Sequence, residues 1–300
     1  MILVTGGTGF MGSRLVKRLV EKGHAVRAMA IENDPQLPNL EGVDCEIVTG
    51  DITRPQTLEE PMKGVQTLFH LAAVLVSDNP ELFHRINYEG TRNVVDKAVE
   101  ASVEHFVYIS AAAANYRVRT TYGETKFQAE QLMKRKRGNT NFTMIRPTLI
   151  YGPGGGGQEL VIYIDQLKKF KGFIPLVGSG KARKRWVWID DVIEGLTLLV
   201  DKPITYGKTY NFGGGSAHSM REYTEMLCQQ LGINKPIVPI PVPISYAIAW
   251  FLKIVQKKPI LKRDTILGVM MDADFSIEEA KRDIGYDPIS FEEGIRRCFP

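Results

Sequence analysis

The sequence has little that would indicate a disulfide-linked, metal-binding or membrane-spanning protein. Its three cysteines, Cys45, Cys228 and Cys298, lie far apart without the short spacing of metal ligands, so we expect reduced thiols in a cytoplasmic protein. The most apolar stretch, residues 237–255, contains three prolines and Lys253, which makes it a poor membrane span. The given sequence opens directly on a predicted core strand, so we expect no signal peptide.

Strong charge and sequence repetition are also missing. A formal net charge of +4 on 300 residues is too mild to indicate a nucleic-acid partner, and no repeat or low-complexity segment is apparent. With 44% hydrophobic and 24% charged residues, the composition is that of a soluble globular protein. The length is enough for one large α/β unit, or for a large and a small domain.

The glycine-rich first dozen residues carry the strongest local signal. Residues 2–4 predict a buried strand, residues 5–9 a turn, and apolar residues from about Met11 recur at helical spacing. A helix that begins at such a turn points its free N–H groups and its positive dipole end at the turn, which favours an anion. We therefore predict a dinucleotide site with contacts from Gly6, Gly9, Phe10, Met11 and Gly12.

The three glycines of this turn have separate predicted tasks. Gly6 permits the tight turn, Gly9 lets the backbone approach a pyrophosphate, and Gly12 lets helix and strand pack closely. Their spacing, G-x-x-G-x-x-G, differs from the commoner G-x-G-x-x-G.

The end of the predicted second strand, residues 25–30, leaves the choice between NAD and NADP open. NAD sites usually have an acidic residue here, and NADP sites an arginine. Ala30 and Ile31 are neither, and Glu32 comes slightly late.

Strands and helices alternate through the first half of the chain. Further strands are predicted at residues 46–48, 67–70, 106–110 and 142–146, and helices at residues 87–101 and 121–134. The alternation predicts an α/β fold of the Rossmann type, with a parallel, doubly wound sheet.

The pattern changes after residue 147. Short apolar pieces alternate with glycine and proline, and capping boxes at Ser219, Ser276 and Ser290 predict three helices. We expect an NAD(P)-binding domain over residues 1–150 and a smaller, mixed α/β substrate domain mainly over 151–300, with residues 186–212 returning to the first domain.

Tyr122 and Lys126 are the candidate catalytic pair. They are four positions apart in a predicted helix and so share one face. A nearby ammonium favours the phenolate and lowers the pKa of a tyrosine towards a value useful for proton transfer. The alternative interpretation is an amphipathic surface pair.

A set of short motifs runs through nearly the whole chain in a specific order. They include the glycine turn, Gly50-Asp-Ile52, His70-Leu-Ala-Ala73, Asn87-x-x-Gly90-Thr-x-Asn93, Tyr122-x-x-x-Lys126, Arg146-Pro147, Tyr151-Gly152 and Asp190-Asp-Val192. Together they resemble the extended short-chain dehydrogenase/reductase family, and within it the NAD(P)-dependent epimerase/dehydratase branch.

The resemblance implies a Rossmann domain for NAD or NADP and a smaller C-terminal substrate domain. It implies that Tyr122 is the acid/base, while Lys126 holds the nicotinamide ribose and lowers the pKa of the tyrosine. Asp51 and Ile52 are expected to meet the adenine. Further cofactor contacts are expected from Leu71, Ala72, Ala73, Asn87 and Ser110, although the small residues after His70 also fit tight packing without a ligand.

One position departs from the family pattern. The family places a serine or threonine just after the fifth strand, hydrogen-bonded to the reacting oxygen, and here Ala111 takes that position. Ser110 matches the residue before it, and neighbouring strand residues point to opposite faces, so Ser110 cannot simply substitute. The acidic pair of the dehydratases is also missing, which argues against sugar-nucleotide dehydration and puts catalysis itself in question.

Two basic clusters are candidate anion sites. Residues 134–137 end a helix, where cations suit the dipole, and we interpret them as solvated. In residues 181–185, Lys184 lies nearest the place where the epimerase branch has an arginine for a substrate diphosphate, with Arg183 beside it. A plain surface loop is the alternative, and Arg263 is a further candidate substrate contact.

Three hypotheses for function remain. The first is an epimerase or reductase of a nucleoside-diphosphate sugar, with Tyr122 exchanging the hydroxyl proton. The second is a ketoreductase of an apolar alcohol such as a steroid or flavonoid, suggested by the apolar helix at residues 243–255. The third is a cofactor-binding protein that has lost chemistry because of Ala111. We expect a small-molecule substrate and no nucleic acid, and leave a homodimer open.

The same apolar helix raises the question of a membrane surface. Trp250 and Phe251, followed by Lys257 and Lys258, are compatible with one. We favour the interpretation that the helix is a packed lid of the substrate domain.

Overall fold

The computed structural model describes residues 1–77, 79–136, 138–153, 158–255, 261 and 263–299. The chain forms two compact units. Unit 1 comprises Met1–Thr148, Ile189–Phe212 and Ser276–Asp287, and unit 2 comprises Leu149–Trp188, Gly213–Phe275 and Pro288–Pro300.

The secondary structure follows the alternating pattern in unit 1 and is more irregular in unit 2. The strands are β1 Ile2–Thr5, β2 Val26–Ala30, β3 Glu46–Thr49, β4 Thr67–His70, β5 His105–Ile109, β6 Asn141–Pro147, β7 Ile150–Tyr151, β8 Ile174–Val177, β9 Arg183–Lys184, β10 Val187–Trp188, β11 Thr209–Phe212, β12 His218–Ser219 and β13 Ile237–Ile240. The helices are α1 Phe10–Glu21, α2 Glu59–Met62, α3 Pro80–Phe83, α4 Thr91–Glu100, α5 Thr121–Arg135, α6 Gln158–Lys169, α7 Ile189–Thr197, α8 Met220–Gln230, α9 Val242–Val255, α10 Arg263–Met270, α11 Glu278–Ile284 and α12 Phe291–Cys298.

Unit 1 is built on a seven-stranded parallel sheet in the order β11-β6-β5-β4-β1-β2-β3. The chain winds from β1 to β3 in one direction and from β4 to β6 in the other, so the order reverses between β1 and β4. Ligands of such sheets bind at the carboxyl ends of the strands, beside this reversal. The predicted Rossmann-type, doubly wound fold is confirmed.

The last part of unit 1 returns from later in the chain. Strand β11 pairs in parallel with β6 at the edge of the sheet, with Phe212 opposite Pro147. The Phe212 ring stacks on Tyr286 with ring centroids 4.4 Å apart. A Cβ at Gly195 of α7 would lie 2.7 Å from the Phe212 ring, so the absence of a side chain there lets α7 pack closely. Residues 276–287 belong to unit 1 as well, which the sequence did not indicate.

The helix predicted at residues 87–101 begins earlier than expected. Asn79 caps α3 through a hydrogen bond from the Glu81 N–H, and a π-helical segment, His84–Gly90, joins α3 to α4. A wider turn of this kind is rare and is often found at functional sites.

Unit 2 is built around aromatic side chains and three two-stranded sheets, β10-β7, β12-β9 and β13-β8. Its core contains Tyr151, Trp186, Trp188, Tyr223 and Phe291. Tyr151 lies in β7, and residues 154–157 lie outside the described residues.

The three predicted capping boxes have different outcomes. Ser219 and Glu222 form a complete capping box at α8, and Ser290 accepts a hydrogen bond from the Glu293 N–H at α12. The prediction at Ser276 is wrong, because α11 begins at Glu278 and the Ser276 hydroxyl accepts instead from the Glu278 N–H.

Helix α9 corrects the packed-lid interpretation of residues 243–255. Most of its large side chains, among them Trp250 and Phe251, are exposed, Tyr246 and Leu252 are half-buried, and its buried residues are Ser245 and Ala249. No helix among the described residues is long and apolar enough to cross a membrane.

Candidate functional site

Gly6 and Gly12 are required by the protein's own packing. Gly6 has a φ of +66°, and a Cβ there would lie 2.8 Å from the backbone nitrogen of Ala72. A Cβ at Gly12 would overlap the carbonyl oxygen of Gly6. Helix α1 thus lies directly on the turn that follows β1.

Gly9 is less tightly enclosed by the protein than Gly6 or Gly12. Its φ is −66°, and a Cβ would meet only the Gly6 carbonyl at 3.3 Å and the Gln36 side chain at 3.6 Å. It is the N-cap residue of α1 and contributes no side-chain cap, so the first N–H groups of the helix, at Phe10 and Met11, are left for a ligand. These residues fit the pyrophosphate of a dinucleotide.

The turn at Asp51 and Ile52 is held by hydrogen bonds from Thr53 and Asn93. The Asp51 carboxylate accepts hydrogen bonds from the Thr53 N–H at 2.8 Å and the Thr53 hydroxyl at 2.7 Å. The Asn93 amide donates to the Ile52 carbonyl at 2.9 Å. The Ile52 side chain packs where Gly90 has no Cβ, since a Cβ there would lie 2.8 Å from Ile52 Cδ1.

An acidic residue that the sequence reasoning missed lies beside the glycine turn. The Thr8 hydroxyl donates to the Asp34 carboxylate at 2.6 Å, and the Asn39 amide donates to the Thr8 carbonyl at 2.9 Å. The sequence pattern points only to residues 30–32 for this position, because a loop after a strand has no periodicity that would place Asp34 here. Ile31 and Glu32 are exposed.

The segment after β4 is supported by the π-helix. Leu71, Ala72 and Ala73 are half-buried, and the Leu71 N–H donates to the Thr5 carbonyl at 3.1 Å. Asn87 is fully buried, and its side-chain amide bonds both the N–H of Val74, at 2.8 Å, and the carbonyl of Val74, at 2.9 Å. The structure therefore places Asn87 as a support of this segment.

A second missed residue, His70, connects β1, β4 and α4. Its ring nitrogens are hydrogen-bonded to the hydroxyls of Thr5, at 2.6 Å, and Thr91, at 2.9 Å. Burial, with a smaller effect of the Lys126 charge, lowers the pKa of His70 to about 3. The imidazole is therefore neutral at neutral pH.

Tyr122 and Lys126 lie together on α5, which Thr120 caps by accepting from the Gly123 N–H. Lys126 is only 2% exposed, and its Nζ lies 5.9 Å from the centre of the half-buried Tyr122 ring. Burial lowers the pKa of Lys126 to about 7, and the charge of Glu130 acts in the opposite direction. A solvated surface pair does not describe this arrangement.

Glu130 lies on the same face of α5 as Tyr122 and Lys126. It was not identified from the sequence. It is fully buried, accepts a hydrogen bond from the Ser110 hydroxyl at 2.5 Å, and forms a two-point ion pair with Arg146, whose Nε lies 2.8 Å from Oε1. Arg146 also bonds the side chain of Asn115. The spacing of Tyr122, Lys126 and Glu130, four positions each, was the available signal.

Ala111 follows β5 in an extended conformation, with φ −155° and ψ 150°, and is buried. Its methyl group offers no hydrogen bond. The Ser110 hydroxyl is engaged by Glu130, so it does not replace a hydroxyl at position 111.

Lys184, the predicted diphosphate contact, is a buried residue. It is 3% exposed in unit 2, and its ammonium donates to the backbone carbonyls of Gly268, at 2.6 Å, and Met271. Burial lowers the pKa of Lys184 to about 8, opposed by the charge of Asp272. This arrangement does not offer the ammonium to a diphosphate, because carbonyl oxygens at the C-terminal end of α10 already bind it.

The neighbouring arginines are already paired. Arg183 and Arg185 both form ion pairs with Asp274, at 3.4 and 2.8 Å. Arg183 keeps half of its side chain exposed, and Arg263 is exposed at the start of α10.

In the other cluster, Lys136 pairs with Asp96 at 2.5 Å, and Arg137 lies outside the described residues. Cys45, Cys228 and Cys298 are free thiols. Within the part of the chain that the structure describes, no three His, Cys, Asp or Glu side chains are grouped to hold a metal ion.

Comparisons with known proteins place the chain in a family and a fold. The model of the NAD dependent epimerase/dehydratase family matches residues 2–213. The chain is 30% identical to a 2-alkyl-3-oxoalkanoate reductase of Stenotrophomonas maltophilia (strain K279a), over 99% of this chain and 97% of that protein. It is 27% identical to a UDP-glucose 4-epimerase of Vibrio cholerae, over 99% and 93% of the two chains. The crystal structure of gox2253 matches with a TM-score of 0.81 and 28% identity, covering 98% and 95% of the two chains.

Proposed function

This chain belongs to the NAD-dependent epimerase/dehydratase family, and from that premise we propose that it oxidises or reduces a carbinol or carbonyl carbon of a small molecule. Tyr122 exchanges the proton of the substrate oxygen. NAD supplies the hydride acceptor, or in its reduced form the donor. The observation that carries the proposal is the buried ammonium of Lys126 beside the Tyr122 ring.

In this proposal, the residues of unit 1 each perform a defined task. The N–H groups of Phe10, Met11 and Gly12 would hold the pyrophosphate above Gly9. Asp51 and Ile52 would line the adenine side, and Leu71, Ala72 and Ala73 would lie against the cofactor. Ser110 and Asn87 act by holding Glu130 and Val74 in place.

Lys126 contributes its charge and its position. Its ammonium would bind the nicotinamide ribose and stabilise negative charge on the phenolate oxygen of Tyr122. The missing hydroxyl at Ala111 leaves the substrate oxygen with one hydrogen bond fewer. We therefore propose slow turnover, which Tyr122 still supports.

Asp34 supports NAD over NADP. Its carboxylate is held at the glycine turn by Thr8. A negative charge fixed there would accept from a ribose hydroxyl and would repel a 2′-phosphate. The name of the matching family points in the same direction.

For the substrate, we favour an apolar carbonyl compound. The ammonium of Lys184 is bound by two carbonyls, and Arg183 and Arg185 share Asp274, so little positive charge in β9 and its neighbours is left for a diphosphate. The Stenotrophomonas maltophilia relative is named for reducing a 2-alkyl-3-oxoalkanoate, a carbonyl compound with alkyl chains.

A nucleoside-diphosphate sugar is the second candidate. Arg183 is half exposed, and the Vibrio cholerae relative is named as a UDP-glucose epimerase. An epimerase would retain the substrate and return it with the opposite configuration.

The deciding experiment is a turnover panel. NADH oxidation would be followed with 2-alkyl-3-oxoalkanoates and steroid ketones, with wild type and Tyr122→Phe in parallel. Conversion of UDP-glucose to its C4 epimer, which consumes no NADH, would be followed by chromatography with the same two proteins. We expect Tyr122-dependent oxidation with an apolar ketone. Tyr122-dependent conversion of UDP-glucose alone would favour the second candidate. No turnover with any compound that binds would replace both with the cofactor-binding protein.

A further inference from the structure

Helix α9 presents its large apolar side chains to solvent. We call this set the α9 apolar face; its members are Ile244, Ile248, Trp250, Phe251, Ile254 and Val255. All are at least 41% exposed, and Trp250 reaches 69%.

The α9 apolar face is continuous along the helix. Ile244, Ile248, Phe251 and Val255 follow one another by four, three and four positions, which places them on one side. The buried residues of the helix are the small Ser245 and Ala249. A helix at the surface of a soluble protein normally has the reverse arrangement, with large apolar residues inward.

The charged residues of α9 and of the sequence up to residue 263 are all positive. Val242–Val255 contains no acidic residue, and its single charged residue is the exposed Lys253. The sequence that follows adds Lys257, Lys258, Lys262 and Arg263 before the first acidic residue. Apolar surface beside positive charge is the combination that anionic lipid headgroups and acyl chains attract.

We propose that α9 docks unit 2 on the surface of an anionic lipid bilayer. The helix would lie in the plane of the interface, with Trp250 and Phe251 among the acyl chains and Lys253 at the headgroups. Its 14 residues are too short to span a bilayer, which needs about 20. The proposal is independent of the proposed reaction, because it uses no residue of the Tyr122 site.

A second copy of the chain fits this face less well. In a two-fold dimer the same face meets itself, and Lys253, about 160° around the helix from Phe251, would face away from the other copy without an anionic partner. A bilayer that contains anionic lipid supplies the opposite charge.

Tryptophan fluorescence tests the proposal directly. Trp186 and Trp188 are 5% and 4% exposed, so a change on adding lipid reports on Trp250. With vesicles of phosphatidylcholine and phosphatidylglycerol, we expect a shift to shorter wavelength and quenching by brominated acyl chains. Trp250→Phe should remove both signals, and pure phosphatidylcholine should give weaker ones.

Vesicle flotation compares variants with matched controls. Ile248→Glu with Phe251→Glu should lower the partition coefficient at least about tenfold, because it places charge on the apolar face. Val161→Glu, at an exposed apolar residue of α6, is the control and should bind vesicles as wild type does. Lys253→Gln should weaken binding about fivefold on anionic vesicles only, as about 1 kcal/mol per lysine implies.

NAD titration of each variant verifies that the protein remains folded. Flotation of the double variant at the wild-type level would overturn the proposal, as would a wild type that binds no vesicles. A concentration-dependent dimer in buffer that Phe251→Glu dissociates, without vesicle binding, would assign the face to a second copy instead.

Discussion

The ammonium of Lys126 donates a 2.8 Å hydrogen bond to the carbonyl oxygen of Ile109, the last residue of β5. This bond attaches the Tyr122 face of α5 to the carboxyl edge of the sheet. Because Lys126 is buried, its position is determined by the strand and not by solvent. The catalytic proposal depends on this geometry.

Proton transfer should depend on Tyr122 and respond to a hydroxyl at position 111. Tyr122→Phe should lower single-turnover hydride transfer by about 10²-fold or more, the usual contribution of general acid–base catalysis. Ala111→Ser should raise the rate, because the serine would restore a hydrogen bond to the reacting oxygen. Tyr88→Phe, the same substitution in the π-helix, is the control and should leave the rate unchanged. A fully active Tyr122→Phe protein would mean that the acid/base lies elsewhere.

Gly9 and Gly12 should respond differently to the same substitution. Gly9→Val should weaken NAD binding at least tenfold, roughly 1.4 kcal/mol, in a folded protein, because its side chain would intrude on the pyrophosphate while its Cβ meets the Gly6 carbonyl at 3.3 Å without overlap. Gly12→Val should destabilise the fold, because its Cβ overlaps the Gly6 carbonyl. Calorimetric titration with NAD and NADP, with thermal unfolding, measures both. Unchanged NAD affinity in Gly9→Val would remove the cofactor site from this turn.

Removing the charge of Asp34 should change the preference between NAD and NADP. Asp34→Asn should increase affinity for NADP relative to NAD by about tenfold, roughly 1.4 kcal/mol, because the repulsion of a 2′-phosphate is lost. Glu32→Gln, at the exposed end of β2, is the matched control and should change the ratio little. Isothermal titration of each variant with both dinucleotides gives the ratio. A larger effect at Glu32 would assign the recognition to that residue.

Lys184 should be needed for the stability of the fold, whereas Arg183 should not. Lys184→Ala should lower the unfolding temperature, because the carbonyls of Gly268 and Met271 lose their donor. Arg183→Ala should leave both the unfolding temperature and NAD binding nearly unchanged. Titration with UDP should then show little binding in either wild type or variant. Strong, salt-sensitive UDP binding that Arg183→Ala abolishes would favour the nucleotide-sugar candidate.

His70 should make the fold sensitive to acid. Its pKa is lowered to about 3 in the folded protein from an ordinary 6.5, so the unfolded chain binds the proton first as pH falls. The free energy of unfolding therefore falls as the pH drops below about 6.5, by about 1.4 kcal/mol per pH unit. Urea unfolding between about pH 6 and 4 should show a shallower loss in His70→Gln than in wild type. The exposed His84→Gln should keep the wild-type slope.

Local patterns determined much of this protein. The strand, turn and helix at Gly6–Gly12 and the parallel sheet were predictable, because hydrophobic periodicity and turn chemistry act over a few residues. The Tyr122 and Lys126 pair was predictable for the same reason, since four positions on a helix define a face. The order of the motifs indicated the family, which the comparisons confirmed. The assigned site residues remain predictions.

Tertiary structure decided what depends on residues distant in sequence. The sequence predicted Lys184 as an anion ligand. In the structure, its ammonium is bound instead by carbonyls at the end of α10, more than eighty residues later in the chain. Glu130 became a partner of Ser110 and Arg146 only when α5 packed on the sheet. Asp34 reached Thr8 through a loop with no periodicity. Sequence spacing specifies which residues share an element, but burial and partners depend on how separate elements pack, because an ionic side chain pairs with whichever groups folding brings within hydrogen-bonding distance.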